Sequence, residues 1–148
     1  GQGIYFSQVE DDMLRIMAHP LVTTGSDWSD IAVRQPPERE AGSHPRGTGT
    51  MTRRLELCRD RGLRTLEDCV HSMTGLTALS VGLKGQGRLE EGADANITIF
   101  TADTVRCHAD FPHPFRRNAG IHWVLVNGQI AVEDGTATGI RAGKVLRR

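Results

Sequence analysis

The pattern of apolar and polar residues divides the chain into three regions. In the first region, Ser7 and three acidic residues precede apolar residues at helical spacing, which predicts a capped helix. His19-Pro20 should end this helix, because the residue before a proline resists the helical conformation. Residues 21–24 then form a short β-prone run that closes at Gly25. A helix, a strand and a glycine in this order are typical of an α/β barrel or a doubly wound sheet.

The second region, residues 26–54, predicts a long loop. Prolines and glycines interrupt each stretch that could form a regular element: Pro36, Pro37, Gly42, Pro45, Gly47 and Gly49. A loop of this length is usually functional or disordered. Three helices are predicted after it. One begins at Leu55 and ends at Gly62, a second runs from a capping box at Thr65 to Gly75, and a third covers residues 77–81.

The third region changes to the period of β-strands. Residues 96–100, 123–126 and 130–132 read as short strands between turns. The Asn127-Gly128 pair predicts a tight hairpin between the last two, and Asp134-Gly135 marks the next turn. We therefore divide the chain into an α/β part, residues 1–83, and a β part, residues 84–148.

Charge and composition exclude several classes of protein. The 18 basic and 18 acidic residues cancel, which gives no electrostatic reason to expect a nucleic acid or membrane partner. Arginines between residues 53 and 64 alternate with acids, which predicts a solvated helix face. No apolar run approaches the ~20 residues of a membrane span, and no secretory leader is recognisable. The cysteines, Cys58, Cys69 and Cys107, share no metal-ligand spacing, which favours reduced thiols in a cytoplasmic protein.

Asp27 is the first residue with candidate chemistry. It follows the predicted strand at residues 21–24, and in a (β/α)8 barrel the C-terminal ends of the strands form the active face. A carboxylate there could bind Zn²⁺ or take a proton from a metal-bound water. The alternative is that Asp27 caps the following turn, which is a common role of aspartate.

Arg46, in His44-Pro45-Arg46, is the second candidate. Its planar guanidinium can pair in two-pronged fashion with a carboxylate, which suits recognition of an amino-acid carboxyl group. The alternative is a surface arginine on a loop. The other histidines show no HxH or HExxH spacing, and no phosphate-binding glycine loop occurs.

The series of motifs resembles a known family. In chain order the matching runs are Tyr5-Phe6-Ser7, His19-Pro20-Leu21-Val22, Gly25-Ser26-Asp27, His44-Pro45-Arg46, Thr65-Leu66-Glu67, Met73-Thr74-Gly75-Leu76 and Val124-Leu125-Val126-Asn127-Gly128. Together they resemble the C-terminal portion of the N-acyl-D-amino-acid deacylases (D-aminoacylases), which are metal-dependent amidohydrolases. No single run is decisive, and the resemblance rests on the series, which covers nearly the whole chain.

The resemblance implies the end of a (β/α)8 barrel in residues 1–83 and part of a small β-sandwich in residues 84–148. It implies a zinc enzyme that cleaves the amide of N-acyl-D-amino acids. Asp27 would be both a metal ligand and the residue that moves the proton, and Arg46 would hold the substrate's α-carboxylate. Trp28 departs from the family, which usually has glycine after this aspartate, and a second acid follows at Asp30.

The length of the chain limits what it is expected to do alone. A (β/α)8 barrel needs about 250 residues, so we expect an N-terminal barrel portion to be missing from these 148 residues. We expect no tight zinc binding and no activity without it, since one carboxylate cannot form a zinc site. The alternatives are a fragment of a dihydroorotase- or dihydropyrimidinase-like enzyme, a decayed short protein, and a non-catalytic interaction module built on the β-rich end.

Overall fold

The computed structural model describes residues 7–28 and 43–147 of the chain. In this part, four helices are followed by four strands: α1 (Glu10–Ala18), α2 (Arg46–Arg61), α3 (Leu66–Met73), α4 (Gly75–Ser80), β1 (Ile97–Phe100), β2 (Ile121–Val126), β3 (Gln129–Glu133) and β4 (Thr136–Ala137). None of the helices described is long and apolar enough to cross a membrane. Tyr5, Phe6 and Asp30 lie outside the described residues.

The first helix forms where the sequence predicts it, but without the predicted cap. Val9 stands at the N-cap position of α1, and no side chain accepts a hydrogen bond there, so Ser7 does not cap the helix. Three acids in the first turn interact favourably with the positive end of the helix dipole instead. The helix ends at Ala18, and the backbone of the following His19 is extended, as expected for a residue before proline.

Residues 21–24 do not form the predicted strand. The Val22 amide donates to the His19 carbonyl (3.1 Å), and the Thr24 amide donates to the carbonyl of Ser72 (3.3 Å). A strand exists only where a neighbouring strand completes its ladder, and β-prone side chains do not supply that neighbour. The described residues place no strand beside this segment.

Helix α2 corrects the predicted loop. It begins at Arg46, nine residues before the predicted start at Leu55, so the last part of the 26–54 stretch is helical. Its glycines are sites of close packing. A Cβ on Gly47 would lie 2.8 Å from the indole of Trp28, and one on Gly49 would lie 2.8 Å from the Cys107 sulfur. Residues 29–42 of the predicted loop lie outside the described part.

The helix boundaries between residues 62 and 75 can be compared with the predicted ones. The predicted cap of α3 is confirmed, because the Thr65 hydroxyl accepts a hydrogen bond from the Asp68 amide (3.1 Å). Helix α2 ends at Arg61, and the following Gly62 has a φ of 59°, the left-handed conformation that closes helices. The predicted helix at residues 77–81 is present, but it starts two residues earlier, at Gly75.

The C-terminal strands form one antiparallel sheet in the order β1-β2-β3-β4. All three predicted strands are present, and β4 adds a short fourth after the predicted Asp134-Gly135 turn. The predicted hairpin is confirmed, because Asn127 and Gly128 both have positive φ, 47° and 77°, between β2 and β3. Two central residues with positive φ are the requirement of the type I′ turn.

The core joins the helices to the segment that follows β1. Leu55 and Cys58 of α2, Cys69 of α3 and Val105 are buried together. Around them pack partly buried apolar side chains: Leu63, Val70, Met73, Phe100 and Ile121. The Arg59 guanidinium reinforces this contact, since one of its nitrogens donates to two carbonyls of the 102–105 segment (2.8 and 2.9 Å). Helix α2 therefore joins α3 to the segment that follows β1.

Candidate functional site

The structure brings the two predicted site residues together. The Arg46 Nη2 and the Asp27 Oδ2 form an ion pair at 3.0 Å. The Asp27 side chain is 86% exposed and that of Arg46 is 42% exposed, so both remain open to solvent. Asp27 adopts a positive φ of 49°, a conformation that aspartate tolerates better than most residues. An exposed ion pair contributes about 0–1 kcal/mol to stability, so little holds the two groups to each other.

The start of α2 positions Arg46. Pro45 occupies the N-cap position, and the Arg46 amide donates to the Nδ1 of His44 (3.1 Å). The Thr50 hydroxyl donates to the Arg46 carbonyl (2.8 Å), which reinforces the first turn. The Trp28 indole packs on Gly47, next to Arg46 in the helix. Trp28 therefore packs against the turn of α2 that carries Arg46.

The surroundings of His44 favour the neutral form of its side chain. Partial burial lowers the pKa of its imidazole, and the positive charge of Arg46 lowers it further. A neutral ring can accept the Arg46 amide at Nδ1, whereas a protonated ring could only donate. The ring also packs edge-on against Phe111, with 5.0 Å between ring centroids. His44 is thus a positioning residue for the start of α2.

A cavity of about 510 Å³ opens beside the ion pair. Its apolar wall comes from α1 and from the middle of α2, with Met13, Met17 and Leu57. Its polar wall carries three arginines and His44. The volume lies in the range of small-molecule sites, and an apolar wall facing a few polar groups is their usual composition.

Glu56 holds Arg53, one of the arginines of this wall, in place. Its carboxylate pairs with Arg53 (3.2 Å) and Arg106 (3.0 Å) and accepts the Cys107 amide (3.1 Å), and its side chain is only 8% exposed. Burial raises the pKa of Glu56, but the Cys107 amide and the two guanidinium groups outweigh burial and hold the pKa below its usual value. The predicted solvated face is therefore wrong for this residue and for Arg54, which is 2% exposed.

The Glu56 network should make stability depend on acidity. Because the folded state lowers the pKa of Glu56, its contribution is complete above the usual value near 4.5 and is lost as the pH falls through the folded value. We expect Glu56→Gln to lower the unfolding free energy at pH 7 by about 1–3 kcal/mol and to flatten its dependence between about pH 5 and 3. Urea unfolding at several pH values measures both the unfolding free energy and its dependence on pH. Glu91→Gln, at an exposed position, should follow the unchanged chain, and equal pH slopes for all three would contradict the assignment.

Two of the cysteines, Cys69 and Cys107, offer no reactive thiolate. Burial raises the pKa of Cys69 and the neighbouring Cys58 thiol adds to the effect, so that together they bring it to about 12. Burial also raises the pKa of Cys107, and the charge of Glu56 adds to the effect, although a contact with the Ala109 carbonyl opposes it. A protonated thiol is a poor nucleophile and a poor metal ligand.

The described residues do not by themselves fit a zinc ion. Within residues 7–28 and 43–147, no three His, Cys, Asp or Glu side chains lie close enough to hold a metal. His108 contacts the Arg117 carbonyl (3.0 Å) and His113 contacts Asp110 (3.2 Å), so both rings already have partners. Asp27 supplies one carboxylate, whereas a zinc site requires three or four protein donors.

Comparison with known proteins identifies relatives over almost the whole chain. A profile of the Amidohydrolase family matches residues 6–132. D-aminoacylase of Alcaligenes xylosoxydans xylosoxydans is 43% identical over 146 residues, which cover 98% of this chain and 28% of that protein. The chain thus spans little more than a quarter of the length of this relative.

Two solved structures extend the comparison. One is a D-aminoacylase with a binuclear metal centre, which is 41% identical and superimposes with a TM-score of 0.86 over 97% of this chain and 29% of its own. The other is N-acyl-D-glutamate deacylase from Bordetella bronchiseptica, complexed with zinc and a phosphonate mimic of the tetrahedral intermediate. It is 38% identical, with a TM-score of 0.82 over 97% of this chain and 29% of its own.

Proposed function

Because the chain belongs to the amidohydrolase family, we propose that it forms the C-terminal part of a zinc-dependent hydrolase that cleaves the amide bond of N-acyl-D-amino acids. The observation that carries the proposal is the pairing of Asp27 with Arg46 beside a cavity, in a chain 43% identical to a D-aminoacylase. The dihydroorotase- or dihydropyrimidinase-like alternative has less support, since the relatives that match almost the whole chain are a D-aminoacylase and deacylases of N-acyl-D-aspartate and N-acyl-D-glutamate.

The architecture we propose follows from the same relatives. Residues 1–83 would form the end of a (β/α)8 barrel, with residues 21–24 as its last strand once a neighbouring strand is present. Residues 84–148 would form part of a small β-sandwich, of which β1 to β4 are one sheet. The remaining barrel strands and metal ligands would lie in the portion that this chain does not span. We therefore propose zinc for the complete enzyme and no tight zinc binding by these 148 residues.

Asp27 and Arg46 have separate tasks in this proposal. The Asp27 carboxylate would take the proton from the attacking water and then give it to the nitrogen of the leaving amine, so that the amide C–N bond breaks and a carboxylic acid and a free D-amino acid form. Arg46 would bind the α-carboxylate through two parallel hydrogen bonds and orient the amide. Zinc in the complete enzyme would act as a Lewis acid and would also bind Asp27.

A chimera tests the proposed function. This chain would replace the matching 146 residues of the Alcaligenes D-aminoacylase, and the zinc-loaded protein would be assayed with N-acetyl-D- and N-acetyl-L-amino acids and with the cyclic amides dihydroorotate and dihydrouracil. We expect hydrolysis of the D-substrates alone, and no turnover by the 148-residue chain without the remaining portion. Turnover of either cyclic amide in place of the N-acetyl-D-amino acids would favour the alternative enzyme class. A folded, metal-loaded chimera without activity on any of them would refute both.

A further inference from the structure

Two of the three cysteines lie together in the core. Cys58 is 3% exposed and Cys69 is 0% exposed, both thiols are free, and both residues belong to the buried cluster that joins α2 to α3. Residues of this chain bury the pair. Its surroundings therefore do not depend on the portion of the relatives that the chain does not span.

The position of the Cys69 sulfur brings it next to Cys58. The Cys69 Sγ lies 3.7 Å from the carbonyl oxygen of Arg54, which precedes Cys58 on α2 by about one helical turn. A helical side chain leans towards the N-terminus of its helix, so the Cys58 thiol points back towards this same carbonyl. The two thiols interact directly, because burial and then the Cys58 thiol raise the pKa of Cys69.

The third thiol is out of reach of Cys58. The Cys107 sulfur packs against Gly49, where an added Cβ would lie 2.8 Å from it. Gly49 and Cys58 are separated by about 13 Å along the axis of α2, whereas a disulfide requires Cα atoms within about 7 Å of each other. Neither of the other thiols is among the groups that shift the pKa of Cys107. The native fold therefore selects Cys58 and Cys69 as a pair.

We propose that Cys58 and Cys69 form a redox-sensitive pair, which a peroxide converts into a disulfide that ties α2 to α3. The Cys58 thiolate attacks one oxygen of hydrogen peroxide, the O–O bond breaks, and a sulfenic acid and one water form. The Cys69 sulfur then attacks the Cys58 sulfur, and its proton leaves with the displaced hydroxyl group as a second water. The two thiols lose two electrons, which reduce the peroxide to water.

The two thiols have different tasks in this reaction. Cys58 reacts first, because it is the more exposed of the two and because burial keeps the Cys69 thiol protonated. Cys69 acts only in the second step, on a sulfur that is already beside it. The disulfide would restrict the unfolded chain between α2 and α3 and so stabilise the folded state. The stability of the core would then depend on its oxidation state.

Oxidation of the 148-residue chain tests the pairing. The chain would be treated with hydrogen peroxide in native buffer and, separately, in concentrated urea, and the disulfides would be mapped by mass spectrometry of non-reduced peptides. We expect a disulfide between Cys58 and Cys69 in native buffer, with Cys107 outside it, and a mixture of pairings in urea, where the fold no longer selects the pair. Absence of a disulfide in native buffer, a native pairing that includes Cys107, or the same mixture in both solvents would overturn the proposal.

Variants show whether this disulfide changes the stability. The oxidised chain should melt roughly 5–10 °C above the reduced chain, and dithiothreitol should reverse the difference. Cys107→Ala is the matched control and should keep the difference, whereas Cys58→Ala should lose it. Cys69→Ala is a second variant in case the first does not fold. A difference that survives in either of these two, or an oxidised chain that melts no higher than the reduced one, would contradict a stabilising disulfide. These measurements require neither zinc nor hydrolysis, so they are independent of the chimera assay.

Discussion

Asp27→Asn in the zinc-loaded chimera is expected to lower kcat for N-acetyl-D-amino acids by about 100- to 10,000-fold, the range that a positioned proton-transfer group contributes. Asparagine keeps the size of the side chain and can still accept a hydrogen bond from Arg46, but it cannot accept a proton at neutral pH. Steady-state kinetics with metal content measured on the same samples would check the result. The loss should persist at full zinc occupancy.

The control for this variant is another exposed acid. Asp12 lies in α1 and pairs with Arg15 at 3.6 Å, also at the surface, so Asp12→Asn removes a carboxylate from an exposed ion pair without touching the cavity. It should leave kcat unchanged. A loss in Asp27→Asn that disappears when zinc is restored would mean that Asp27 binds metal without moving the proton. Full activity in Asp27→Asn would remove it from the site.

Local signals in the sequence predicted the elements that depend on neighbours in the chain. The cap at Thr65, the stop at Gly62 and the Asn127-Gly128 turn each involve residues at most five positions apart. These local structures can therefore be predicted from the sequence. A hydroxyl three residues before an amide is enough to form a helix cap, and two residues that tolerate positive φ are enough to form the turn.

The predictions that failed depend on contacts across the chain. Gly47 and Gly49 read as helix breakers, yet both are required by side chains that approach α2 from Trp28 and Cys107. Likewise, residues 21–24 have β-prone side chains without a described strand to complete a ladder. A glycine in a sequence can allow an unusual backbone conformation or can allow another group to approach the backbone closely. The sequence alone does not show which of the two applies at a given position.

The candidate site was predictable in part for the same reason. Asp27 and Arg46 stand out because each belongs to a recognisable run of residues, and the structure pairs them. Glu56 and Arg54 lie in a helix of mixed charge, so the sequence did not distinguish them from solvent-exposed residues. What distinguishes them is that their side chains are buried. Burial results from packing against residues 17 and 106–107, which no spacing along α2 reveals.

Arg46→Met in the chimera is expected to raise KM for an N-acetyl-D-amino acid by about 10- to 100-fold with a much smaller change in kcat. Charge-assisted hydrogen bonds to the α-carboxylate are made in both the bound substrate and the transition state, so their loss weakens binding uniformly. The KM of Arg46→Lys should lie between that of the unchanged chimera and that of Arg46→Met, since an ammonium group keeps the charge without the planar fork. The N-acetyl-D-amino-acid amide, which lacks the carboxylate, is the matched probe, and its KM should hardly change.

Because the ion pair between Arg46 and Asp27 is weak, this prediction can distinguish two roles of the arginine, recognition of the substrate and orientation of Asp27. An exposed pair is easily exchanged, so an incoming α-carboxylate can replace Asp27 as the partner of Arg46 and free the Asp27 carboxylate to accept a proton. If Arg46 instead served to orient Asp27, its removal would lower kcat for the acid and the amide alike, with little change in KM. Whether the substitution changes KM or kcat, measured with the N-acetyl-D-amino acid and with its amide, therefore shows whether Arg46 recognises the substrate or positions the Asp27 carboxylate.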